Sequence, residues 1–431
     1  MKAGTTGERR RPALGICVLL VAAAALAFWS AGLAGYEGTI VPQRIDFEQF
    51  HWPTIQRFAS LPFAEAISDY GAAPFPLFYI VFGAVYAASH SLLVLHLLSA
   101  LLGIGVLGLA WVIVRERFAD DERPGAMVAL LGFLCLSPYL RGQVIWTNTD
   151  VMPLLFMLAA LFCLLRDEAG GGLLYRASAI VFSFLAFYTR QFYLFLPAYL
   201  AIRFILIDRR HAVSCFALCA VLSVPGLLLI ALWHGVVPPS FAQHEQRPYP
   251  FAALPYVFAN LLLYASPLIV VAAGHARDVV SSCFRDPRLR IVTGAVWLAY
   301  LSYFLLSPAE FFEIGGGLLA QLFQRLPVPQ AMRFHLLAVA TSLFIPVLVY
   351  MVAQDWRRNL VLVLFVACFL PTGIIFQRYF DPASVIIVFG VLHLRELRPL
   401  LVGGGRFAFP ALEAAVAAIG FVHYGRLFGI F

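Results

Sequence analysis

Apolar runs of roughly 20 residues recur along the whole sequence, separated by short connectors that carry most of the charge. Runs of this length match the hydrocarbon thickness of a bilayer. There every backbone N–H and C=O must be satisfied inside the segment, so each run reads as a helix. The alternating pattern of an outer-membrane barrel is absent. Composition agrees: 62% of the 431 residues are hydrophobic and 12% charged, with a mean hydropathy of +0.86, where soluble domains are about 45–50% apolar. The expected fold is all-α, a polytopic membrane helical bundle forming one integral-membrane domain over residues 1–431. No connector is long enough for a separate soluble domain.

The first run, 13–35, follows Arg9, Arg10 and Arg11 and exceeds the 7–15 residues of a signal-peptide core, so an uncleaved span with a cytosolic N-terminus is expected. Cys17, Cys135, Cys163, Cys215, Cys219 and Cys368 sit in apolar runs and Cys283 in a connector, which reads as free thiols. The net charge of +7 is almost all arginine, with Lys2 the one lysine; topology accounts for it without a nucleic-acid partner.

Charge also orders the spans. The run 74–89 would reach only about 24 Å at ~1.5 Å per residue, short of the ~30 Å core. If it lies at the surface, thirteen spans remain: 13–35, 91–114, 126–140, 150–165, 177–189, 192–207, 212–236, 253–274, 291–306, 335–354, 359–375, 381–394 and 408–424. The cytosolic connectors then hold 20 basic residues and the outer ones 9, with Arg203 inside a span. If 74–89 crosses, the balance becomes 11 inside against 18 outside. The positive-inside rule favours a non-crossing 74–89, which makes 36–90 the first extracytoplasmic loop, with juxtamembrane helices.

Under that topology the polar chemistry converges on one side. In "QRIDFEQFHWPTIQRFASLP" (43–62), Asp46 and Glu48 are two apart, so an extended segment points both one way and a helix start sets them on either side of one groove. They offer a general base and a partner that orients an acceptor hydroxyl or a divalent metal; a solvated anionic loop is the alternative. "WTNTD" (146–150) puts Asp150 at the outer mouth of a span, facing the same cavity or capping the helix. Arg190, with Gln191, interrupts apolar sequence, and Arg247 and Arg378 stand at similar boundaries. Each guanidinium either snorkels to the interface or grips a phosphate bidentately, and three on one face favour phosphate. His244 and Glu245 begin a zincin motif, but Pro248 occupies the second histidine's place, so the spacing supports no metal site.

These stretches resemble the GT-C glycosyltransferases that use polyprenyl-phosphate sugars. "DFEQFHWPTIQRFA" followed by "SDYGAAPFPLFY" (68–79) is similar to the terminal α-1,2-glucosyltransferases of the dolichol-linked oligosaccharide pathway. The likeness continues through "TDVMPLLFMLAALFCL", "RQ" at 190–191, "HEQRPYPFAALPYVF" and "FQRYFDP", in short islands over roughly residues 40–390. Phe47 separates Asp46 from Glu48 where that family has adjacent acids, which is closer to the spacing of the α-1,3-glucosyltransferases of the same pathway.

The resemblance implies a GT-C-like bundle and a hexosyltransferase, glucose favoured, with Asp46 as base and Glu48 as its orienting partner. It implies substrate-binding roles for His51, Asp69, Asp150, Arg190, Gln191, His244, Glu245, Arg247, Arg378 and Tyr379. The partners implied are a polyprenyl-phosphate sugar donor, a glycan or lipid-linked acceptor and membrane lipids, with a divalent metal optional. One lysine against 29 arginines, abundant Ala and Gly, and no glycosylation sequon point to a bacterial inner membrane with the site facing the periplasm. The competing classes are a lipid-linked sugar transporter or flippase, and an O-antigen polymerase or ligase that uses a diphosphate-linked donor.

Overall fold

The computed structural model describes residues 25–27, 29–30, 41–242, 251, 253–271, 273–307, 317–371, 375–391 and 394–427. These residues are helical with short connections, and no strand occurs among them. Most of the expected first span, 13–35, and Cys17 lie outside the described residues. The other six cysteines are free thiols.

Six helical stretches are long and apolar enough to cross a membrane alone: Leu92–Arg117, Ala212–Trp233, Leu254–Val271, Pro287–Leu306, Met332–Gln354 and Gly405–His423. A seventh is a bent pair, Arg123–Leu136 and Pro138–Ile145, with an angle of 53° between them. The remaining expected spans form helices that are shorter or end in charge, among them Val151–Glu168 and Leu173–Thr189. The chain is thus a multi-pass membrane protein of all-α class.

The bend has a local cause. Pro138 has no N–H to continue the ladder and pushes the residue before it out of helical geometry; Ser137 adopts φ −62°, ψ 116°. Its Oγ then accepts the Leu140 N–H at 3.0 Å, capping the second helix. We label Val41–Asp46 α1, Trp52–Ser60 α2, Leu77–Ser89 α3, Leu92–Arg117 α4, Arg123–Leu136 α5, Pro138–Ile145 α6, Val151–Glu168 α7, Leu254–Val271 α8 and Ala408–Leu427 α9.

Charged connectors gather at two ends of the bundle. At one end Arg166 donates to Glu116 at 3.0 Å and the buried Arg176 to Asp167 at 2.8 Å. Arg176 also pairs with Asp208 at 2.5 Å, and Glu168 with Arg203 and, at 4.0 Å, Arg358. At the other end Arg378 meets both Asp46 and Asp150. Since Asp46 and Asp150 share a partner, the chain between them crosses the bundle an even number of times. α4 leads away from this end, and the bent α5–α6 pair brings the chain back to it.

α3 packs on α2, at the same end. Gly83 allows this: a Cβ there would lie 2.8 Å from Phe58 Cβ, a hard clash. The arginine distribution predicts a surface position for this helix. Reporter fusions after Ser60 and after His90 should report one side of the membrane and a fusion after Arg117 the other; opposite signals at Ser60 and His90 would overturn this topology.

Candidate active site

Four segments far apart in sequence supply the site. α1 ends at Asp46 and continues through a wide helical turn, Phe47–His51, into α2. The α6–α7 turn brings Thr147, Thr149 and Asp150, the end of the Leu173–Thr189 helix brings Arg190, and a short turn, Gln377–Tyr379, brings Arg378 and Tyr379. Asp46 accepts a hydrogen bond from Arg378 Nη1. Asp150 lies 2.5 Å from Arg190 Nε through Oδ1 and 3.6 Å from Arg378 Nε through Oδ2. Arg190 Nη1 donates to Thr149 at 3.2 Å. The Tyr379 ring lies beside both guanidiniums, with its centroid 4.7 Å from Arg190 and 5.7 Å from Arg378, and the Phe376 ring lies 4.5 Å from Arg378. The aromatic faces hold the cations where desolvation strengthens every contact.

Burial ranks the members. The Asp150 side chain is 8% exposed and that of Asp46 21%. Asp46 and Arg378 line a narrow cleft with Gln43, Tyr139, Leu318 and, from α9, Val416 and Gly420. Asp150 precedes α7 but makes no side-chain cap, so the capping alternative is not realised; its carboxylate is committed to the arginines.

Several expected residues stand elsewhere. Glu48 points away from Asp46 and pairs with Arg44 at 2.9 Å, both about half exposed. Residues two apart face one way in a strand, but here the segment is helical, where they diverge. Asp69 accepts from the Ser240 N–H at 2.9 Å and from its hydroxyl, fastening the connector after Trp233. Gln191 donates to the backbone carbonyls of Ala73 at 2.6 Å and Val236 at 3.0 Å, a second tie to that connector. His244, Glu245 and Arg247 lie outside the described residues. Among those described, no three His, Cys, Asp or Glu side chains converge, and both site carboxylates already face guanidiniums. The donor set suits an anion better than a divalent cation.

His51 lies beside the site, buried, its Nδ1 in a 2.8 Å hydrogen bond with the Tyr79 hydroxyl. Burial pushes its pKa down to about 3; Asp46 opposes this, and Arg190 and Arg378 add to it. The ring is neutral at physiological pH and serves as a hydrogen-bonding wedge between α2 and α3.

Sequence reasoning passed over the pairing of His96 with Thr147, at 2.7 Å between Nδ1 and Oγ1. Thr147 has φ +52°, a left-handed conformation that costs a β-branched residue of order 1–3 kcal/mol. The strained turn carries the chain from α6 to Asp150. A threonine beside Asn148, which itself favours such turns, hid the signal.

The folded chain resists protonating His51 down to about pH 3, whereas the unfolded chain binds that proton near 6.5. Stability is therefore lost as pH falls from about 6.5 towards 3. In detergent, the unfolding temperature of His51→Gln should fall less over this window than that of the parent; parallel curves would contradict a neutral buried His51.

No family model matches the chain, and no curated protein matches it. Among solved structures, the crystal structure of ArnT from Cupriavidus metallidurans in the apo state is similar at 16% identity and a TM-score of 0.37, covering 94% of this chain and 75% of that one.

Proposed function

We propose that the chain is a membrane glycosyltransferase of GT-C type that moves a hexose, glucose favoured, from a polyprenyl-phosphate donor to a lipid-linked or cell-envelope glycan acceptor on the extracytoplasmic face. The observation that carries the reading is the shared Arg378: a guanidinium on the wall of a membrane-end cleft, between a partly exposed carboxylate and a buried one. Arginines and aromatic faces suit a phosphate, and a cleft bordered by a membrane helix suits a ligand that keeps its tail in lipid.

In this reading the donor phosphate competes with Asp46 for Arg378, and its arrival releases the carboxylate. Asp46 then takes the proton of the acceptor hydroxyl. That oxygen bonds the anomeric carbon as the bond from carbon to phosphate oxygen breaks, and the polyprenyl phosphate leaves with the electron pair. Arg378 and Arg190 stabilise the charge gathering on the leaving group. Asp150 holds both arginines in place.

A transporter of lipid-linked sugars is the second reading, favoured by the buried carboxyls Asp381 and Glu413. Membranes offered a panel of polyprenyl-phosphate sugars separate the two, since only a transferase consumes donor to form a new glycosidic bond.

At equal amounts of folded protein, Asp46→Asn should lower turnover about 10²-fold or more with donor binding largely kept. Glu48→Gln should stay within about twofold of the parent, as expected of an exposed ion pair. Arg190→Lys and Arg378→Lys keep charge but lose the fork, so each should weaken donor binding about tenfold or more. Parental transfer by Asp46→Asn would remove it as the base, and parental donor affinity in both lysine variants would remove the phosphate site.

A further inference from the structure

Three residues beyond Arg378, Asp381 is buried at 2% exposure. Its Oδ1 accepts the Ser137 hydroxyl at 2.6 Å, at the α5–α6 break, and its Oδ2 accepts the Tyr264 hydroxyl of α8 at 3.1 Å. Gln377 joins the cluster, donating to the Tyr264 oxygen at 3.1 Å and accepting the Leu319 N–H at 3.0 Å. Glu413, on the membrane helix α9, is fully buried, and neither of its carboxyl oxygens meets an N–H or O–H donor among the described residues. Its carboxyl lies within hydrogen-bonding reach of the Asp381 carboxyl.

Two carboxylates cannot hydrogen-bond to each other, because ionised oxygens only accept. Contact between them, away from water, requires that one carry a proton. The donors to Asp381, Ser137 and Tyr264, are neutral, as is Gln377 beside them; the buried Arg141 stands one turn beyond Ser137 on α6. Arg378 shares the turn, but its guanidinium is turned to Asp46 and Asp150. His423 stands ten residues further along α9, with Arg325 near it.

The pair sits where its state matters. Glu413, Val416 and Gly420 follow one another at helical spacing, so they share a face of α9, and the last two line the cleft. Asp381 ends the turn that begins with Gln377 and carries Arg378. We propose that Asp381 and Glu413 hold one proton between them, and that this shared proton fastens the Arg378 turn to the membrane helix walling the cleft. The proton and the fastening stand on the contacts alone; their effect on donor affinity rests on the function proposed above. Both are positioning residues, and loss of the proton sets two like charges against each other and parts the wall from the turn.

The test uses the purified full-length chain. Its infrared spectrum at neutral pH should contain the carbonyl band of a protonated carboxylic acid, and Glu413→Gln, whose amide donates to Asp381 without a titratable proton, should lack it. The folded parent binds one proton more than the unfolded chain, so its unfolding temperature should fall as the medium is made more alkaline; Glu413→Gln should flatten that slope. Should Glu413→Gln not fold, Asp381→Asn supplies the same amide from the other side and should give the same two changes. A carbonyl band that survives in the folded variant, or an unchanged alkaline slope, overturns the shared proton.

For donor affinity, Glu413→Leu should weaken binding roughly tenfold and Glu413→Gln should restore it. Parental affinity in Glu413→Leu overturns the fastening. Absence of donor binding in the parent, with the infrared and alkaline changes as expected, counts against the proposed function and leaves the proton pair standing.

Discussion

The Arg378 guanidinium, held between Asp46 and Asp150, is the contact on which the arrangement of this end of the bundle depends. It joins the segment before α2, the turn before α7 and the turn near residue 380, and through Asp150 it reaches Arg190. Removing one partner of such a group leaves a buried charge unanswered, which costs about 3–5 kcal/mol. The cost explains why two carboxylates attend two arginines: each cation remains compensated while the cleft-side carboxylate stays partly open to an incoming group.

The opposite end is organised by the same rule with a different purpose. Arg176 is buried against Asp167 and Asp208, and Glu168 is shared by Arg203 and Arg358. These contacts bind successive connectors into one layer around a second cleft, lined by Arg203, Asp208, Asp355 and Arg358. α3 is seated on α2 through Gly83, and both acidic segments of the site lie at the same end.

Hydrophobic length made the helical bundle legible from sequence. The expected span 91–114 forms Leu92–Arg117 and 291–306 forms Pro287–Leu306, because a bilayer imposes length and apolarity on any crossing. The bend between α5 and α6 was missed as a feature although Ser137 and Pro138 encode it. The site was half legible. Arg190, Arg378 and Asp150 announced themselves as charges in apolar surroundings, where such groups are expensive. The partner of Asp46 did not, because sequence proximity favoured Glu48, while the helical path from Val41 sends the two carboxylates in different directions. Pairings such as Asp381 with Ser137 depend on tertiary contact over 244 residues, which no local pattern carries.

The left-handed Thr147 sets two demands on this protein against each other. Glycine or asparagine would occupy that backbone position with less strain, so selection for thermal robustness alone would drift away from threonine. Neither replacement offers His96 the same branched hydroxyl, and the turn leading to Asp150 would gain freedom as the fold gained stability. Position 147 is thus a point where a hardier protein and a sharper site are alternatives, and improvement schemes guided only by melting temperature would select against the alignment of the arginine pair.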